Sequence, residues 1–187
     1  MKRRWYAVIA IILLVDMVAL AFYLRSQRGH RYDHHIKAAA QRYGVDAALV
    51  KAMVWRESRF DEKARGAAGE IGLMQIREMA AQEWASAEKI PSFDHEQILD
   101  PGSNTMAGTW YLAKMLKRYQ NTDNPIPFAL ADYNAGRTKV REWLKGAAQT
   151  NSAAFLEAMT YPATKDYIMT IMTDRRRFRK DFPIIAH

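Results

Sequence analysis

Glu57 is the residue in this 187-residue chain whose setting most invites chemistry. It lies in Trp55-Arg56-Glu57-Ser58-Arg59-Phe60, at the end of a segment where Leu49, Val50, Met53 and Val54 recur at helical spacing. Counting back from Glu57 by one and two helical turns reaches Met53 and Val50, so these three share a face and the carboxyl projects from the core side. Lost hydration there raises a carboxyl's pKa, and an acid still protonated near neutral pH can donate to a glycosidic oxygen. Taken alone, Glu57 fits equally well a helix-end salt bridge with Arg56, Arg59 or Lys63. Sugar cleavage usually employs two carboxylates, and no second acid has an obvious fixed place. An internal nucleophile removes the need for one. The sugar's own C6 hydroxyl replaces water, Glu57 acts first as acid and then as base, and the product is an anhydro sugar.

The elements that must position Glu57 read as mainly helical. A helix runs from Asp33 to Gly44, and Asp46 is a good N-cap for a second helix through Ser58. Residues 61–71 hold two glycines and several small residues, and read as a loop with a short hairpin. Helices are expected over 73–86, 103–120 and from Asn124-Pro125 to Asn134, where Gly136 stops the last. Residues 87–102 read as irregular. Short helices cover 138–145 and 152–160, and a final helix starts at Pro162, with Tyr167, Ile168, Ile171 and Met172 turned inward.

Two further blocks accompany Glu57-Ser58-Arg59-Phe60. They are Gly72-Leu73-Met74-Gln75-Ile76 and Tyr133-Asn134-Ala135-Gly136. Together the three resemble the signature blocks of the soluble-type lytic transglycosylase domain. Leu99-Asp100-Pro101, Asn104, Gly108, Tyr111 and Leu112 also match that family's middle segment, so the resemblance covers about residues 35–170. It implies a mainly α, lysozyme-like domain with a small loop/hairpin lobe and a saccharide cleft. It implies cleavage of the MurNAc–GlcNAc β-1,4 bond of peptidoglycan, with a 1,6-anhydromuramoyl product. Glu57 takes the place of the acid/base. Ser58, Met74, Gln75, Tyr133 and Asn134 take substrate-binding places: Gln75 as the cleft amide, Met74 in the cleft floor, Tyr133 holding the acid or the N-acetyl group. Peptidoglycan strands are the expected partner, with wall-spanning machinery as a further one. Neither a cofactor nor a metal is expected; His30, His34 and His35 flank a linker.

The departures from the family are informative. The family often has a serine where this chain has Gly66, Met-Pro where it has Arg77-Glu78, and Glu-Thr-Arg where it has Ala163-Thr164-Lys165. The expectation is therefore weaker contacts to the stem peptide, or contacts from different residues. Glu70 stands where the family commonly has a small residue. A loop carboxylate there could activate water, giving lysozyme-type hydrolysis instead, and Asp132 is a weaker candidate for the same role. A non-catalytic glycan-binding scaffold is the other alternative.

The bulk properties bound these readings. Hydrophobic residues make up 49% of the chain, enough for a packed core, and the absence of cysteine removes disulfides and thiol chemistry. Net charge is +8, but residues 1–31 hold six Lys/Arg against one acid and residues 175–180 hold five Lys/Arg and no acid. The remainder is slightly acidic, so nucleic acid is not an expected partner. Lys2-Arg3-Arg4 precedes a largely apolar run over residues 5–24, about 30 Å as a helix, interrupted by Asp16 and edged by Trp5, Tyr6 and Tyr23. This reads as residues 1–31 forming a cytoplasmic tip, a single transmembrane anchor and a linker, ahead of a catalytic domain over 32–187 outside the inner membrane. A cleaved signal peptide ending near Ala19-Leu20-Ala21 is the competing reading, opposed by the continuing apolar Phe22-Tyr23-Leu24.

Overall fold

A computed structural model of the protein describes residues 2–182. Met1 and residues 183–187, the last positions of the expected domain, lie outside it, as do the side chains of residues 2–4, 7, 8, 10, 19 and 21–28, and with them the expected Lys2-Arg3-Arg4 cluster, the Tyr23 belt and part of the cleavage site. The chain divides between His34 and His35 into two compact units. The first is mostly one long helix, α1 (Lys2–Arg31). Its described apolar residues, among them Trp5, Ile9, Leu13 and Leu20, are exposed. Asp16 sits midway along it, and among the described residues no helix is long and apolar enough to cross a membrane. The expected anchor is thus present as a helix, but not as a span that meets that length and apolarity.

The second unit holds most of α2 (Asp33–Tyr43), then α3 (Ala47–Ser58), α4 (Glu78–Ala87), α5 (Pro101–Arg118), α6 (Pro125–Ala135), α7 (Arg137–Trp143), α8 (Ser152–Ala158) and α9 (Pro162–Phe178). Strand-like pairing among the described residues is limited to isolated bridges, so the mainly helical expectation holds. Helix α3 begins as expected: Asp46 is its N-cap and accepts from the Ala48 N–H at 2.8 Å. It is not amphipathic, however. Every residue from Ala48 to Val54 is buried, Lys51 included. Helix α9 runs antiparallel along it. Arg175 pairs with Asp46 at 2.7 Å at the start of α3, and Lys51 pairs with Asp181 at 2.8 Å further along. The Lys51 ammonium also lies 5.2 Å from the Phe178 ring centroid. A buried lysine is tolerated only with such partners.

The expected helix over 73–86 begins five residues late, at Glu78. Residues 71–76 form a tight turn instead, closed by paired hydrogen bonds between Ile71 and Ile76 at 3.2 and 3.0 Å. Gly72 (φ +77°) and Gln75 (φ +48°) are left-handed, which breaks helical propagation. The expected hairpin is this turn plus a bridge from Arg65 to Ile71. Residues 87–102 are less irregular than expected. Asp94 builds a capping box over a 3₁₀ turn, His95–Leu99, and Asp100 caps α5, with Pro101 in its first turn.

Asn104, on α5, secures the turn from beneath. It is fully buried, its Oδ1 accepts from the Met74 N–H at 2.7 Å, and its Nδ2 donates to Ile71 O and Ile98 O at 3.0 and 2.9 Å. The turn is pressed so close that a Cβ on Gly72 would lie 2.1 Å from Asn104 Nδ2. One turn along α5, Gly108 admits the Met74 side chain: a Cβ there would lie 2.4 Å from Met74 Sδ. Asn104→Ala should leave the buried Met74 N–H without its partner and remove one hydrogen bond each from the Ile98 and Ile71 carbonyls, the latter keeping the Ile76 N–H, at a cost of about 2 kcal/mol. Chemical denaturation of the parent and the variant measures it, and a loss below about 1 kcal/mol would show that the turn holds itself.

Candidate active site

Glu57 stands in the last turn of α3. The helix ends abruptly because Arg59 (φ +55°) and Phe60 (φ +64°) are both left-handed without being glycine. That conformation is strained for side-chain-bearing residues and must be held by packing. Phe60 is buried between Trp55 and Phe178, at ring-centroid distances of 5.6 and 6.3 Å, and the Arg59 guanidinium lies 4.3 Å over the Trp55 ring. The chain therefore turns away directly after the acid, and Glu57 faces a cleft of about 630 Å³. The cleft is lined further by the 66–70 loop, the turn at Gln75, the start of α4, Tyr111 of α5 and the end of α6.

The Tyr167 hydroxyl of α9 donates to Glu57 Oε1 at 2.5 Å. Burial is the largest influence on the carboxyl and pushes its pKa up to about 7; the Tyr167 hydrogen bond and the Arg56 charge pull it down, and the Glu70 charge pushes it up again. Glu57 therefore exchanges its proton near neutrality while one of its oxygens stays fixed by a phenol. Arg56 lies 5.4 Å over the same Tyr167 ring. Tyr167 reads in the sequence only as an inward-facing core residue; its partner is 110 positions away, beyond local pattern.

The other expected site residues divide. Gln75 lines the cleft, but its Nε2 donates to Ala64 O and Gly72 O at 3.1 and 2.9 Å, so only its Oε1 is left to face a ligand. Tyr133 lines the cleft and packs edge-on to Tyr111 at 5.7 Å. Its hydroxyl donates to Met74 O at 2.8 Å, not to the acid, so the expectation that it holds Glu57 passes to Tyr167. Burial first, then the Glu57 and Tyr111 charges, raise the Tyr133 pKa well above its usual value and keep that donor protonated. Asn134 lines the cleft with its Oδ1 accepting from Thr164 at 2.9 Å.

Two expected substrate contacts are corrected. Ser58 is buried, and its hydroxyl donates back to Val54 O at 3.1 Å, the helix-end bond open to any serine there. The Met74 side chain is fully buried against Gly108 and Thr109, beneath the cleft rather than in it. Asp132 lines the cleft yet is 4% exposed, and its Oδ2 accepts from the Arg118 guanidinium and the Tyr119 hydroxyl. That oxygen is therefore occupied by two donors within the protein. Glu70 is likewise bound, with Arg77 on Oε1 and the Ala68 N–H on Oε2.

A sequence model described as the Transglycosylase SLT domain matches residues 34–156. The chain belongs to this family. Among relatives, the membrane-bound lytic murein transglycosylase F of Desulfosudis oleivorans is 36% identical over 115 residues, 60% of this chain and 23% of that protein. The soluble lytic murein transglycosylase of Escherichia coli K12 is 33% identical over 130 residues, 68% of this chain and 20% of that protein. The chain thus spans about a fifth to a quarter of the length of these relatives. The crystal structure of the 70 kDa soluble lytic transglycosylase of Escherichia coli aligns with a TM-score of 0.73 at 27% identity, covering 82% of this chain and 25% of that one. A complex of a 70 kDa soluble lytic transglycosylase with bulgecin A aligns at 0.75, with 26% identity, over 88% of this chain and 26% of that one. The lysozyme-like SLT fold is therefore that of the second unit.

The raised Glu57 pKa has a consequence for stability. In the unfolded chain an ordinary carboxyl ionises near 4.5; in the folded domain it does so near 7. The folded state binds the extra proton between these values, so stability falls as pH rises through that window and stays lower above it. Glu57→Gln removes the buried charge and keeps an oxygen for Tyr167. The variant should match the parent at pH 4 and exceed it by about 3 kcal/mol at pH 8, measured by urea denaturation at both pH values. A difference independent of pH would rule out the buried acid.

Proposed function

We propose that this domain is a peptidoglycan lytic transglycosylase acting at the MurNAc–GlcNAc β-1,4 bond, with Glu57 as its acid and then its base. The observation that carries this reading is Glu57 itself: a cleft carboxyl poised near neutrality and gripped on one oxygen by Tyr167. In the first step Glu57 gives its proton to the glycosidic oxygen and the C1–O bond of MurNAc breaks. The resulting carboxylate takes the proton of the MurNAc C6 hydroxyl, whose oxygen bonds to C1. No water is consumed, and Glu57 ends as it began. The SLT relatives, named as lytic murein transglycosylases, support the same chemistry.

Water-dependent hydrolysis through Glu70 is the weaker reading. Burial alone would raise the Glu70 pKa, but hydrogen bonds from its own backbone N–H, Arg77 and Ala68 outweigh that and hold it below the usual carboxylate range. A base so weak and so occupied is ill-suited to activating water. Mass spectrometry of purified peptidoglycan digested by the full chain should yield muropeptides one water lighter than hydrolysis products. Glu57→Gln should lower the rate at least about a hundredfold. Reducing ends in place of anhydro ends would return the assignment to hydrolysis, and an undiminished rate for Glu57→Gln would remove Glu57 from the chemistry.

We also infer that α1 attaches the domain to the inner membrane with the cleft on the outer side. The exposed apolar residues from Ile9 to Leu20 support attachment, and one relative is named as membrane-bound. The full chain should sediment with membranes through an alkaline carbonate wash, and a chain without residues 2–24 should not. Equal release of both would leave α1 with no membrane role.

A further inference from the structure

Gly66 and Glu70 form a packing pair. A Cβ on Gly66 would lie 2.4 Å from Glu70 Oε2 and 3.0 Å from Gln75 Oε1, so the Glu70 carboxylate fills the space that a side chain at position 66 would occupy. Glu70 is held there from both ends. The Ala68 N–H donates to Oε2 at 2.9 Å, and Arg77 donates to Oε1 through Nε at 3.0 Å and Nη2 at 2.7 Å.

The effect of this clamp falls on Arg77. Two of its five N–H groups are taken by Glu70, and that fixes the plane of the guanidinium on the cleft wall. Its side chain is 64% exposed, against 20% for Glu70, so the unused Nη edge is open to whatever enters the cleft. As a stabilising device such an exposed pair contributes little, about 0–1 kcal/mol. As a recognition device it is well formed. A guanidinium edge matches a carboxylate with two parallel N–H donors, and one already immobilised loses less freedom on binding. Arg77 is also the N-cap residue of α4, where no side chain caps the helix, so the partial positive charge of that helix end adds to the guanidinium's field. Glu78 and Glu83 line an adjoining hollow, where Glu83 pairs with Lys114.

We infer that Arg77, positioned by Glu70 in the space left by Gly66, is the contact that selects ligands bearing a carboxylate on the glycan in this cleft. The inference rests on the proposed action on peptidoglycan. That polymer offers the carboxylate from two sources, the stem peptide and the lactyl group left bare when the peptide is removed.

Binding to the full chain carrying Glu57→Gln, read by calorimetry without turnover, tests this separately from the identity of the reaction product. Three GlcNAc–MurNAc probes are compared: one with a stem peptide bearing free carboxylates, one with the same peptide fully amidated, and one without peptide whose lactyl carboxylate is free. Adding Arg77→Gln should weaken binding of the free-carboxylate peptide probe about tenfold, equivalent to about 1.4 kcal/mol, and leave the amidated probe unchanged. Adding Glu70→Gln in place of Arg77→Gln should lose part of the same preference, because it releases the guanidinium. A loss confined to the free-carboxylate peptide probe identifies the stem peptide as the source, a loss confined to the peptide-free probe identifies the lactyl group, and a loss with both shows that Arg77 takes either carboxylate. Equal losses for the free and amidated probes, or no loss for any probe, would overturn the inference.

Discussion

The antiparallel contact of α3 with α9 is the constraint on which the rest of the domain depends. Along its length three polar groups of α3 and its N-cap are met by groups from the chain's last third. Asp46 meets Arg175, Lys51 meets Asp181, and Glu57 meets Tyr167. The surrounding apolar residues, from Ala48 to Val54, exclude water from that seam. Exclusion of water makes the pairing of Lys51 obligatory, since an unpartnered charge there would cost several kcal/mol, while the more exposed Asp46–Arg175 pair contributes less. It is also what makes Glu57 useful, because the same desolvation raises its proton affinity. Structure and chemistry thus share one cause.

A second support, centred on Asn104, sets the other side of the cleft. One buried amide fastens the turn at 71–76, and from that turn come the Gln75 carbonyl oxygen and the backbone carbonyl that receives Tyr133. The glycines at 72 and 108 allow the turn and α5 to meet without a gap. The cleft is therefore walled by two fastenings that share no residue, one through α9 to the acid and one through α5 to the turn.

How much of this was legible in the sequence follows from how local each cause is. The start of α3 was readable because Asp46 caps a run with helical spacing, and the start of α6 because Asn124-Pro125 is a local signal of the same kind. The start of α4 was misread because residues 73–76 have ordinary helical composition, and what holds them in a turn is Asn104, about thirty positions away. Ser58 and Met74 read as ligand contacts because their sequence neighbours Glu57 and Gln75 line the cleft; only packing reveals that one hydroxyl bonds back into its helix and that one thioether lies against Gly108 of α5. The unusual pair Gly66 and Glu70 was visible as two departures from the family. That they compensate each other in one volume was not.

The span between Glu57 and Tyr167 also bears on when the cleft forms. A chain emerging N-terminus first exposes α3 long before α9, and α3 cannot bury Lys51 or settle Glu57 until residues 167–181 arrive. Contacts of such sequence separation form late in folding. The cleft therefore assembles only once nearly the whole domain is available to fold, because the residue that grips Glu57 lies close to its end.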